Sequence, residues 1–497
     1  MMGAMIKRAA CFVTCAGCVA VAAGDAPAFT TVQPELFTTL HALSNAFADF
    51  DGDGDADLAV SYLDGSIRIY RNDAGAFVGL GARLGLPTAG PEVRSLAWGD
   101  FDGDGDPDLH AGLSGDTGVP ARNLVFRNDE GHAFVEVANS LGVNVPGADS
   151  RQANWVDYDN DGDLDLFSAQ RSAPNRMFRN DGGRFVDVSD DLGLADPRRT
   201  VGACWFDMDQ DGDLDVFQAN QQADKDTFYR NDGVNFTDVA PRLGMHQPER
   251  TLAEGGVGCT VGDYDNDGLL DLFVATYGPT LLYRNLGGGG FQESGAEAGL
   301  RHELHAVGAS WGDAENDGDL DLFVAAYVDG DESWSRAHLF MNDGGKFVDV
   351  LENGNPLLAA DHGIQWADYD RDGDLDLSLT DTFPEDGRHR LLRNELPVAQ
   401  ARRSLQIRVL DRDGLATRNG AEVRLYDVDG NQLGARIVPT GDGYGSQSDL
   451  PVHFGLGSAA TVDVEVTFLT PRGRIATRIR GVDPREWEGR ALVVKED

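Results

Sequence analysis

Cysteine and positive charge are what this chain has least of. Of 497 residues only five are cysteine, and three of those, Cys11, Cys15 and Cys18, fall near the N-terminus, so a disulfide-dense scaffold is excluded. Lys and Arg together number 41 against 83 Asp and Glu, giving a formal net charge of -42 and a pI near 4.4. A surface this negative repels phosphate backbones and anionic headgroups, which removes nucleic acid and acidic membranes as partners. No apolar run is long enough to span a bilayer. Also missing are a nucleophile elbow, a phosphate-binding glycine loop and a zinc spacing of Cys and His. Disorder, the usual fate of so acidic a chain, is opposed by 41% hydrophobic residues arranged in strong β patterns.

The N-terminus reads as a secretory signal over residues 1–23. Lys7 and Arg8 precede a small-residue apolar stretch from Ala9 to Ala23, with Ala20-Val21-Ala22 as an A-x-A cleavage pattern. The expected location is therefore extracellular or periplasmic, with lipid anchoring at Cys18 a minor alternative. Cleavage would leave Cys204 and Cys259. They stand three and four residues ahead of their acidic loops, which puts them on opposite strand faces, so two buried free thiols are expected rather than a disulfide.

What the chain has in abundance is one acidic loop, Asp-x-Asp-x-Asp-Gly-x-x-Asp followed by an apolar residue, repeated seven times at spacings of 51, 57, 50, 56, 50 and 55 residues. Calcium takes six to eight oxygen ligands, and carboxylates at positions 1, 3, 5 and 9 with the carbonyl of position 7 can wrap it. The candidate ligands are Asp49, Asp51, Asp53, Asp55 and Asp57 in the first loop; Asp100, Asp102, Asp104, Asp106 and Asp108 in the second; Asp157, Asp159, Asp161, Asp163 and Asp165 in the third. The fourth offers Asp207, Asp209, Asp211, Asp213 and Asp215, and the fifth Asp263, Asp265, Asp267, Leu269 and Asp271. The sixth offers Asp313, Glu315, Asp317, Asp319 and Asp321, and the seventh Asp368, Asp370, Asp372, Asp374 and Asp376. Leu269 costs nothing because only its carbonyl is needed, whereas the longer Glu315 weakens the sixth site. Glycine at position 6 in every copy meets a sharp turn. An EF-hand is excluded, since position 12 never carries Glu and the flanks are β-like. Up to seven Ca²⁺ ions would bring the net charge to about -28.

A period near 50 residues is that of radial β-architectures. Each repeat reads as four strands, with Phe47, Trp98, Trp155, Trp205, Val261, Trp311 or Trp366 two residues before its loop as a packing residue between sheets. The seventh repeat lacks its fourth strand, and Phe29-Thr30-Thr31-Val32 supplies a matching one from the other chain end. The predicted fold is all-β: a seven-bladed β-propeller over residues 28–397, then a small β-sandwich over residues 402–497.

These loops resemble the FG-GAP or VCBS repeats of integrin-α-like propellers. Asn419-Gly420-Ala421, Ser446-Gln447-Ser448-Asp449 and His453-Phe454-Gly455-Leu456-Gly457 resemble the ASPIC/UnbV domain of cartilage-acidic-protein-like chains. The tail departs from that pattern at Phe468-Leu469-Thr470-Pro471-Arg472-Gly473, where the family commonly has Trp-Pro-x-Gly. The resemblance implies an extracellular calcium-binding propeller used in adhesion or recognition of a protein or glycan.

Acidic loops joining strands 1 and 2 leave the opposite face to the variable connections, where binding is usually placed. Arg94, Arg151, Arg199, Arg250, His302, His305 and His362 enter strand 1 on that face and are candidate ligand-binding residues for an anionic sugar or carboxylate. Ordinary pairing with nearby acids is the competing reading. No catalytic residue is assigned. The alternative is a polysaccharide lyase or hydrolase using one of these histidines as base beside an arginine.

Overall fold

A computed structural model describes residues 27–115, 121–147, 149–245, 249–327 and 336–497. The signal stretch with Cys18, and the connection from Asp329 to Ser335, lie outside them. Among the described residues, strand pairing divides the span 29–394 into four-stranded antiparallel units, seven in chain order, as in a β-propeller. In the first unit Ala42–Ala48 pairs with Asp57–Tyr62, which pairs with Ile67–Asp73, which pairs with Ala76–Gly79. The last unit runs Ile364–Ala367, Asp376–Thr380, His389–Asn394, and its outer strand is Phe29–Val32, with Phe29 opposite Asn394. The fifth and sixth units also pair with one another through Tyr277–Pro279 and Glu303–His305, so they form one sheet.

Alternation along the innermost strands explains how units stack. Trp98, Trp155 and Trp205 are buried, each turned toward the unit before it. Trp98 Nε1 donates to Ala46 O, Trp155 Nε1 to Ala97 O and Trp366 Nε1 to Ser310 O, each at 3.3 Å. In these three an indole fills the space between sheets and satisfies its one donor there, whereas Trp205 Nε1 and Trp311 Nε1 are buried without a hydrogen-bond partner.

A second latch repeats in every unit. The Asn near the end of strand 3 sends Nδ2 to the carbonyl of loop position 2 in the preceding unit: Asn72 to Tyr369, Asn128 to Phe50, Asn180 to Phe101, Asn231 to Tyr158, Asn285 to Met208, Asn342 to Tyr264 and Asn394 to Ala314, at 2.7 to 3.1 Å. The bond from Asn72 to Tyr369 joins the first unit to the last, so the latch runs around a closed ring.

Cys204 and Cys259 form a disulfide, contrary to the free thiols expected above. The parity argument was sound within a strand and incomplete for a ring. Trp205 packs against Phe167 of the preceding unit, so Cys204 beside it faces the following unit. Cys259, two residues before Val261, faces back. Opposite faces of successive sheets are the faces that meet.

The C-terminal domain packs a three-stranded sheet, with Ser404–Leu410 between Val452–Gly455 and Leu492–Lys495, against a four-stranded one ordered Gln432–Ile437, Glu422–Tyr426, Val462–Thr470, Gly473–Val482. Ile407, Val423, Val464, Val466 and Phe468 are fully buried between the sheets.

Two outcomes are expected. Asn180→Ala strands two buried carbonyls and lowers unfolding free energy by about 2–4 kcal/mol in denaturant melts. Mass analysis after thiol blocking of the purified chain shows no free thiol at Cys204 or Cys259 unless reductant is present, and reduction lowers the melting temperature.

Candidate metal centres and the face opposite them

Each acidic loop leaves the end of strand 1 and re-enters at the start of strand 2, and its carboxylates first fold the loop itself. Position 1 accepts the N–H of the position-6 glycine in all seven copies, at 2.9 to 3.2 Å. Position 5 accepts the N–H of position 7, at 2.9 to 3.1 Å. Position 9 uses both oxygens: Asp57 accepts from Phe50 N at 3.1 Å and from Asn72 N at 2.7 Å, tying the loop to strand 3. The position-6 glycines have φ between +90° and +106°, where a side chain is strained.

After these bonds, several oxygens remain that are buried and without a hydrogen-bond partner: Oδ1 of Asp49, Asp51, Asp157, Asp209, Asp263, Asp265 and Asp368. In each of the first five loops three carboxylate oxygens lie within 4.8 Å of one another, from Asp49, Asp51 and Asp53 in the first and from positions 1, 3 and 9 in the next four. Burial pushes the Asp49 carboxyl up to about 6, Asp57 to about 8 and Asp108 to about 9, and neighbouring carboxylates add to the effect. Converging carboxylate oxygens that lack donors and resist ionisation are a donor set for a hard divalent cation, so these loops can hold metal ions.

Position 7 has a second use that reading it as a carbonyl ligand missed. Its side chain caps the hairpin between strands 3 and 4, Asp55 taking Ala74 N, Asp106 taking Glu130 N, Asp163 taking Gly182 N and Asp319 taking Gly344 N, at 2.7 to 3.0 Å. Leu269 cannot do this. In its loop Arg284 instead pairs with Asp265 at 2.6 Å and Asp267 at 2.8 Å.

The C-terminal domain seats on this acidic face. Arg418 pairs with Asp157 at 2.9 Å and Arg474 with Asp207. Ala435 N donates to Asp263 at 2.9 Å and Gln406 Nε2 to Asp368 at 2.7 Å, while Arg424 and Arg436 donate to the carbonyls of Gly268 and Gly318. From the same domain, residues 439–449 enter the middle of the ring. Ser446 and Gln447 pair in parallel with Leu96 and Ala97, Gly443 N donates to Ala309 O, and Asn154 Nδ2 donates to Thr440 O at 2.5 Å. Gly443 and Gly445 have φ of +63° and +58°. A Cβ on Gly445 would stand 2.5 Å from Arg151 O. Only glycine fits there.

On the opposite face the seven residues singled out from the sequence are spread out. Arg94 pairs with Glu92 at 2.7 Å, Arg151 with Asp149 at 3.2 Å, Arg199 with Asp224 at 3.0 Å and Arg250 with Asp226 at 2.7 Å. His302 stacks on His338 and Phe340, away from the axis, and His305 on Tyr327. His362 holds Asp361 at 2.8 Å and meets Tyr444 edge-on with centroids 4.9 Å apart. Arg94, Arg151 and His362 therefore converge, on a residue the sequence reading did not select: Tyr444, the tip of the inserted segment. Its one sequence signal is glycine on both sides, Gly443-Tyr444-Gly445.

Because burial raises the carboxyls of Asp49, Asp57 and Asp108 to about 6, 8 and 9, above unfolded values near 4, these groups contribute stability that is full below about pH 4 and is lost as pH rises through 6 to 9. In chelator the melting temperature is expected to fall between pH 5 and 8.5. In millimolar calcium, where the carboxylates are held ionised, that fall disappears. Differential scanning fluorimetry checks both.

No curated protein matches the chain. Among solved structures, BBS1N in complex with ARL6DN, in crystals soaked with lead or mercury, is similar at 11% and 12% identity, with TM-score 0.46 over 74% of this chain and 97% of that one. An Agrocybe aegerita lectin described for recognition of non-reducing terminal N-acetylglucosamine is similar at 19% identity, TM-score 0.39, over 64% of this chain and 81% of that one. Among the described residues no helix is long and apolar enough to cross a membrane. The FG-GAP-like repeat model matches residues 28–111, 157–218, 207–274, 263–324 and 316–378, taking in all seven acidic loops, and the ASPIC and UnbV model matches residues 412–481. With four-stranded sheets and acidic loops where those repeats carry them, the chain belongs to the FG-GAP-like repeat family and ends in an ASPIC and UnbV domain.

Proposed function

We propose that this protein is an exported, calcium-loaded recognition module whose acidic loops are structural and whose opposite face meets an extracellular protein or glycan. The observation that carries the metal half of this reading is the set of buried, donorless Oδ1 atoms at positions 1 and 3. All-oxygen carboxylate donors on a loop with one carbonyl ligand favour calcium over softer metals. Affinity of roughly 10⁻⁴ to 10⁻³ M, usual for extracellular modules, suits calcium levels outside the cell. The disulfide between Cys204 and Cys259 agrees with an oxidising compartment.

A noncatalytic role is the better supported one. His362, which meets Tyr444 at the axis, is 3% exposed, and burial holds its pKa below the ordinary value despite Asp361. It is wedged between Phe383 and Tyr444. His302 stacks on His338 and Phe340, apart from the Arg94 and Arg151 pair.

Adding millimolar calcium to chelated protein is expected to raise the melting temperature by ten degrees or more, by mass action at several sites. In that buffer the protein retains at least one member of a panel of extracellular glycans and proteins without shortening any polysaccharide. A chelator-insensitive melting curve would end the calcium reading, and chain shortening would end the noncatalytic one.

A further inference from the structure

Among the described residues, the middle of the ring is filled by residues 439–449. The segment 439–449 enters from the acidic face, and two ring glycines make room for it, since a Cβ on Gly308 would stand 2.7 Å from Gly443 O and one on Gly258 3.0 Å from it. A plug needed only for rigidity could end in an apolar residue. This one ends in Tyr444, packed on Val201, Val257 and Val307. Its hydroxyl accepts from Arg94 Nη1 at 3.4 Å. Burial alone would raise the phenol's pKa, yet Arg94 and Arg151 outweigh it and hold it below the ordinary value. On a chain of net charge -42, two guanidinium groups act on this one phenol.

The donors there are not used up. Arg151 is 7% exposed and its Nε has no hydrogen-bond partner. Its acid, Asp149, also accepts from Ser114 and Ser172. Arg171 lies near enough to Asp149 and Tyr277 to act electrostatically on both. Beside these arginines runs a chain of aromatic rings, His362 to Phe383 at 5.0 Å, Phe383 to Tyr327 at 5.3 Å and Tyr327 to Tyr277 at 5.5 Å. Phe383 is 56% exposed, although it is a large apolar side chain. A cavity of about 690 Å³ continues outward from Asp149 and Arg171 past Arg198 and Arg199.

We propose that this axial mouth binds acidic oligosaccharides, a uronate carboxylate meeting Arg151 and Arg171 while the apolar face of the sugar lies on Phe383 and Tyr327. Guanidinium forks match carboxylates in shape and charge, and aromatic rings pack against the C–H face of a pyranose. Tyr444 positions Arg94 and Arg151 from below, so the C-terminal domain completes a site on the far side of the ring from where it docks. The groove past Arg198 and Arg199 accommodates the next acidic sugars. This assignment rests on the recognition reading above and specifies its ligand class.

The test uses the full chain in millimolar calcium, titrated calorimetrically with tetragalacturonate and with its methyl ester. The acid binds and the ester, which keeps the sugar faces and loses the charge, binds at least tenfold more weakly. Phe383→Ala weakens both forms. Arg171→Met weakens only the acid, by about tenfold, as loss of one charge-assisted hydrogen bond implies. Tyr444→Phe leaves the melting temperature unchanged and narrows the preference for acid over ester, which a purely structural role would not alter. Equal binding of acid and ester, or unchanged affinity in all three variants, overturns the proposal. If neither form binds while another member of the panel does, the acidic-sugar assignment falls and the recognition reading stands.

Discussion

Everything in this molecule is arranged around carboxylates that cannot stay both buried and unneutralised. Each acidic loop packs four or five of them into nine residues beneath the ends of two strands, and desolvation makes the charged form costly there. Backbone N–H groups take some of the oxygens. Those left over converge, and a divalent cation is the partner that can satisfy several at once. The loops therefore fasten the strands they join through backbone hydrogen bonds, and they leave oxygens that a divalent cation can satisfy.

The fastening runs around the ring as well as within each unit. Asp at position 9 grips the backbone of the strand-3 Asn, and that Asn reaches back to the preceding loop. The Trp that stands before five of the seven loops presses on the same neighbour. Loop, latch and wedge all act between consecutive sheets, so loosening one loop is felt by the next. Closure by Phe29–Val32 removes the free edges that an open array of sheets would present.

The C-terminal domain joins the two faces. Its arginines and main-chain N–H groups rest on position-1 carboxylates and position-6 carbonyls, partners that hold their places only in an ordered loop. From that footing it sends a glycine-rich finger through the axis. The acidic face thus carries the footing, and the opposite face receives the finger's Tyr444.

Much of this was legible in the residues. The loop pattern, its period, the terminal strand that completes the last sheet and the Trp wedges follow from local rules, because a turn, a metal loop or an alternating strand depends only on residues close in sequence. The resemblance of the tail was visible in its Ser446 to Asp449 run. Position 7 and the strand-3 Asn were seen as residues but not as fasteners, since their partners lie in other strands or in the preceding repeat. Of the seven basic residues named for the opposite face, five also pair with acids: Glu92, Asp149, Asp224, Asp226 and Asp361.

By itself, then, the chain determined its repeat, its strands and the donor sets of its loops, all of which depend on spacings of one to nine residues. Tertiary structure alone decided that Cys204 meets Cys259, because facing in a ring reverses the parity that holds within one strand. It alone decided that Tyr444 stands between Arg94 and Arg151. Those residues are some 300 positions apart in sequence, and no local preference encodes a contact made by threading one domain's loop through the centre of another.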